Sequence, residues 1–147
     1  MINVRTSAWV PGTPEEVFSF FDDPDSMLEF TPGAQRIIRM EQAPDGRRRY
    51  TVAMLSNRGK EFPVEVEQLL RIPPTHLTTR SQTSGFTATN KRGFEPENGG
   101  TRVTSRFAAQ IHRGFLGPLM EFLQRDRTRL EADAIMQAVV ERFAARR

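Results

Sequence analysis

The 147-residue sequence predicts an α+β domain. A curled antiparallel sheet of about seven strands surrounds one long C-terminal helix, and two short helices separate the first two strands. Three observations carry this. A capped helix pair begins directly after the first strand. About eighty residues of two-residue alternation, cut by turn signals, follow it. The chain then ends in a long stretch of helical periodicity.

Residues 2–10 alternate, with Ile2, Val4, Thr6, Ala8 and Val10 on one face and Asn3, Arg5, Ser7 and Trp9 on the other. That is a half-buried strand. Thr13 is an N-cap, Pro14 takes the first helical position, and Glu16 completes a capping box. Val17, Phe18, Phe20 and Phe21 form the buried face of a helix over 14–22. Asp23 caps again before Pro24, and Met27, Leu28 and Phe30 fill a second helix over 24–30 that Pro32-Gly33 ends.

Gln35–Gln42 and Arg47–Leu55 flank the hairpin signal Ala43-Pro44-Asp45-Gly46. Ser56-Asn57-Arg58-Gly59 turns the chain into a strand where Phe62, Val64, Val66 and Leu70 alternate with charged residues. Pro63 within that strand implies an edge or a bulge. Ile72-Pro73-Pro74 ends it. His76–Ser84 and Phe86–Glu95 follow, then the turn Asn98-Gly99-Gly100. The last strand alternates through Val103, Ser105, Phe107, Ala109 and Ile111. From Gly117 to Ala145 one helix is expected. Leu119, Leu123, Leu130 and Ala134 share one stripe, and Met136, Val139, Val140 and Phe143 share another, roughly opposite.

Composition narrows the function. The absence of cysteine removes disulfides and thiolate chemistry and fits a reducing compartment. No segment approaches the roughly 20 apolar residues of a membrane span. The N-terminus lacks an apolar h-region. A cytoplasmic protein without membrane insertion is expected. The net charge is +3, and of 21 basic residues only Lys60 and Lys91 are lysine. The clusters Arg47-Arg48-Arg49 and Arg125, Arg127, Arg129 stand among 18 acidic residues. They read as a composition bias, and no nucleic-acid partner is expected.

The stretch VPGTPEEVFSFFDDPDSMLEFTPG, the hairpin FEPENGGTRVT and the terminal amphipathic helix, in this order, resemble the START-like (SRPBCC) superfamily, also called polyketide cyclase/dehydratase-like. The resemblance spans nearly the whole chain, with Phe30 where many members have tryptophan. It implies one helix-grip domain over residues 1–147, with a deep apolar cavity between sheet and long helix. Members bind lipids, sterols, quinones or polyketides. Some catalyse cyclisation or dehydration, and some assist other proteins.

No catalytic signature accompanies the fold. His76 and His112 have no neighbours at metal-ligand spacing, so neither metal nor other cofactor is expected. G-x-S-x-G, P-loop and G-x-G-x-x-G motifs do not occur. Asp22, Asp23, Asp25 and Glu29 form the one dense carboxylate cluster. It reads as an acid–base pair near a cavity mouth, or as capping of the two short helices; the Asp23-Pro24 spacing favours capping.

Inward polar residues are the remaining candidates. If Phe86, Ala88 and Phe94 point inward, alternation turns Asn90 and Arg92 inward too. If Val52 and Met54 do, so do Tyr50 and Arg48. A buried guanidinium needs a partner or a ligand anion. A one-residue register slip would instead put these arginines in solvent. Tyr50, the chain's one tyrosine, is either a ligand anchor or a core residue. Small residues at 88, 109 and 134 would leave room inside. The expected pocket is lined by Tyr50, Val52, Met54, Val66, Asn90, Arg92, Phe94, Phe107, Leu119 and Leu123. Phe115-Leu116-Gly117-Pro118 is either a flap over it or a helix start.

The expected function is binding of a hydrophobic small molecule by a monomer or homodimer. The alternatives are a cyclase or dehydratase, and an interaction protein acting on ribosomes or chaperones. The last would show as a one-sided basic surface or an exposed apolar patch, with the stripe Met136, Val139, Val140 and Phe143 as the feature to watch.

Overall fold

The computed structural model describes residues 1–56, 58–112 and 117–146, with side chains for all of these except 117–126. β1 (Ile2–Val10) leads into α1 (Pro14–Asp22) and α2 (Pro24–Phe30). β2 (Ala34–Gln42), β3 (Arg48–Leu55), β4 (Glu61–Ile72), β5 (His76–Gln82), β6 (Phe86–Glu97) and β7 (Gly100–Ile111) follow, and α3 (Gly117–Ala144) closes the order. The strands form one antiparallel sheet in the order β1-β7-β6-β5-β4-β3-β2. It curls without closing, so β1 and β2 are its edges. No helix among the described residues is long and apolar enough to cross a membrane.

The helix pair forms for the local reasons its sequence gives. Thr13 Oγ1 accepts from Glu16 N and donates to the Glu16 carboxylate, both at 3.2 Å. Asp23 closes one helix and opens the next. Its N–H donates to Ser19 O at 3.1 Å, and its Oδ1 accepts from Asp25 N at 3.0 Å. The capping reading therefore holds for Asp23. Edge-on rings hold the pair in place: Phe18 of α1 meets Phe94 of β6 at 5.3 Å, and Phe20 of α1 meets Phe30 of α2 at 5.4 Å and Phe143 of α3 at 5.5 Å.

Asn98-Gly99 is a two-residue turn with positive φ at both positions (48° and 77°), the geometry that matches sheet twist. Gly100 follows under the Trp9 ring. A Cβ there would come within 2.5 Å of Val10 O and 2.6 Å of that ring. Pro63 sits opposite Ala53 of β3, beyond the point where β5 pairing begins at Glu65. It is an edge position within an interior strand. The bulge of β4 lies further on, between Gln68 and Leu70.

The long helix corrects the expectation that Ala134 faces the interior. Met136, Val139 and Phe143 are buried, whereas Leu130 is 71% exposed and Ala134 is exposed as well. The helix lies mainly along β1, and its C-terminal end rests on the aromatic cluster of α1. That placement turns Met136, Val139 and Phe143 inward, so this stripe is core and not an exposed contact face. Asn57, Phe115 and Leu116, and the side chains of Leu119, Phe122, Leu123 and Arg125, lie outside the described residues.

Candidate functional site

A cavity of about 430 Å³ lies between the inner face of the sheet, α2 and α3. Its apolar wall comes from β3 and β4. Val52 pairs with Val64, and Tyr50 with Val66, so the middle of the two strands presents an apolar face. Met54, Met27, Leu28 and Phe21 extend this wall. From the other side come Phe86, Ala88 and Phe107, with Ala132, Ile135 and Met136 of α3. Ala109 is buried in the neighbouring cluster of Ile2, Val4 and Ala88 and does not reach the cavity.

Of the residues expected in a pocket, Tyr50, Val52, Met54, Val66, Asn90, Arg92 and Phe107 line this cavity. Phe94 does not. It pairs with Val103 and is enclosed by Phe18 and Phe21, because α1 covers that end of β6. Leu119 and Leu123 lie where side chains are not described. His76 and His112 are exposed and lie beside the hydroxyls of Thr75 and Thr87, at 3.0 and 2.8 Å.

Register brings five polar residues side by side. Arg92 stands opposite Ser105, and Ser105 opposite Thr6; one row further, Asn90 stands opposite Thr79. All five line the cavity. The Arg92 guanidinium lies 4.8 Å from the centroid of the Phe21 ring. Burial pulls its pKa down to about 10, with the Tyr50 phenol opposing that shift. It remains a cation at neutral pH. Burial likewise pushes the Tyr50 phenol up, against the pull of Arg92, so it stays protonated.

Asp22 organises a second charged cluster just outside the cavity. Its side chain is 7% exposed. Arg71 donates through Nε to Oδ1 and through Nη2 to Oδ2, both at 3.0 Å. Arg48 donates to Oδ2 at 2.9 Å and to the Asp22 main-chain oxygen at 3.1 Å. Gln68 donates to Oδ1 at 2.9 Å, while its own Oε1 accepts from Arg48 N at 2.8 Å. Burial raises the Asp22 pKa, but the hydrogen bonds from Arg71, Gln68 and Arg48 outweigh it and hold the carboxyl below its ordinary value. The end of α1 is thus clamped to β3 and β4. Arg48 faces inward with Tyr50, as alternation allows, and is satisfied by protein. Gln68 and Arg71 carried no sequence signal, since their partner lies 46 and 49 residues away.

The architecture has solved counterparts. A di-domain aromatase/cyclase of the steffimycin biosynthetic pathway superposes with a TM-score of 0.78 at 14% identity, over 99% of this chain and 52% of that one. The chain thus spans about half of that protein. A Thermus thermophilus protein matches at 0.74 and 19% identity, with 97% of each chain covered. A START superfamily protein from Mycobacterium smegmatis matches at 0.70 and 15%, over 95% of this chain and 97% of its own. At these identities the likeness is one of fold. No curated protein matches the sequence. A family model described as polyketide cyclase / dehydrase and lipid transport matches residues 1–146. Sheet, helix pair and long helix all fall inside that match, and the chain belongs to this START-like family.

Proposed function

We propose that this chain, a single START-like domain, holds one hydrophobic small molecule between its sheet and α3. The observation that carries the reading is the cavity itself: about 430 Å³, mostly apolar, with Arg92, Ser105, Thr6, Asn90 and Thr79 brought side by side on the sheet. Small-molecule sites have this make-up and fall in the range of about 300–1,000 Å³. Each Å² of apolar ligand surface removed from water there contributes roughly 25 cal/mol, less the cost of association. The family description, which includes lipid transport, supports the same reading.

A cyclase or dehydratase role is the second reading. The family description favours it, and Tyr50 supplies a protonated phenol on the cavity wall. Such chemistry needs a base as well. Among the described residues the one carboxylate on the wall is Glu131, which is exposed and accepts from Arg127 at 3.3 Å. Binding is therefore the better supported function.

Native mass spectrometry of protein purified without detergent tests it. The expected spectrum shows a one-to-one adduct that organic solvent extracts. Bare protein alone, both as purified and after incubation with a mixed lipid extract, would contradict the proposal.

A further inference from the structure

Three inner arginines stand at one end of this sheet, and the protein treats them differently. Arg48 and Arg71 share the Asp22 carboxylate. Arg92 has no ion pair and no hydrogen bond among the described residues, and its Nε is wholly enclosed. Two further enclosed polar atoms beside it, Ser105 Oγ and Asn90 Oδ1, also lack a hydrogen-bond partner. All three residues line the cavity, and Ser105 is directly opposite Arg92 in the β6–β7 ladder. Enclosed polar groups are satisfied in nearly all folded proteins, and those that are not call for an explanation. The chain keeps a half-buried cation there, and among the described residues the Phe21 ring and the Tyr50 phenol are the groups that favour it.

We propose that Arg92 is the anchor for a carboxylate, so that the molecule held in this cavity is a monoanionic amphiphile rather than a neutral hydrocarbon or sterol-like alcohol. The inference rests on the binding reading above and specifies its ligand class. The planar guanidinium presents paired N–H donors that match the two oxygens of a carboxylate. Ser105 is placed to donate to the same head group. Among the described residues Arg92 is the one cation on the cavity wall, so one negative charge balances it; a dianionic phosphate would leave a charge in excess. Glu131, the one other charged residue of the wall, is exposed and engaged with Arg127. The apolar face of β3 and β4 then receives the tail.

Decanoic acid and 1-decanol share a tail and differ in the head group. Both are titrated calorimetrically into the wild type, Arg92→Met and Arg92→Lys at about pH 8, well above the usual carboxylate range. The wild type is expected to bind the acid at least about tenfold more tightly than the alcohol, as befits a hydrogen-bonded charge. Arg92→Met is expected to lose that preference while still binding the alcohol, with its thermal midpoint unchanged or raised. Arg92→Lys keeps a charge without the planar fork and is expected to show a reduced preference. Equal binding of acid and alcohol by the wild type overturns the carboxylate assignment and leaves the cavity reading intact. A full preference surviving in Arg92→Met or Arg92→Lys overturns the role given to the guanidinium. Binding of neither compound by the wild type overturns the cavity reading, and this inference with it.

Discussion

Replacing Asp22 by Ala is expected to remove about 3 kcal/mol of stability at neutral pH, the lower end of what losing one member of a buried ion pair costs. The lower end applies because Arg48 and Arg71 keep 26% and 23% of their side chains exposed, so water partly rescues them. Gln68, which is buried, loses its acceptor and adds to the cost. The same clamp predicts an acid limb. Folded Asp22 has a pKa below the ordinary 3.8, so the unfolded chain takes up the proton first as pH falls. The stabilisation is complete above that ordinary value and is lost as pH drops through the folded one. Asp22→Asn should therefore flatten the fall in stability at low pH. Urea titrations across acidic and neutral pH read both effects. A loss under about 1 kcal/mol on Asp22→Ala would match an exposed pair instead of a buried clamp.

Truncating Phe18 to Ala should cost about 3–5 kcal/mol, the usual range for a fully packed phenylalanine. Its ring is 2% exposed and meets Phe94 edge-on at 5.3 Å, with the Arg71 guanidinium 5.9 Å from its centroid. Little can collapse into the space, since one side is the sheet and the other is the backbone of α1. Phe18 does not line the cavity, so ligand binding per folded molecule should be unchanged. A denaturant midpoint close to that of the wild type would show that α1 does not plug this end of the sheet.

These two residues also show what a sequence can and cannot disclose. Phe18 was legible as core because helix periodicity, caps and proline positions are local, and all lie within residues 13–32. The strands were legible for the same reason: alternation needs only neighbours. It correctly turned Tyr50, Asn90 and Arg92 toward the inner face. Asp22 was not legible. Its role depends on Gln68 and Arg71, which β4 brings back through register, and nothing near Asp22 announces them. The burial of α3 was open for a different reason. Two stripes of similar apolarity were present, and only the curl of the sheet decides that Met136, Val139 and Phe143 face inward while Leu130 does not. Alternation puts Phe94 on the pocket's face, but it tells faces apart and not ends of a strand; α1 covers the end where Phe94 lies.

The cavity is the central claim, and filling it is the direct test. Ala88 is buried, lines the cavity, and lies on the inner face of β6 opposite Ser81 and Ala109. Ala88→Phe should place a ring in the ligand space and keep the fold, as judged by far-UV circular dichroism and thermal unfolding. An environment-sensitive apolar dye is titrated into both proteins. The account predicts saturable binding to the wild type and at least about tenfold weaker binding to the variant, the loss expected when a ring occupies the site. Equal binding to both proteins, or none to the wild type, would contradict it.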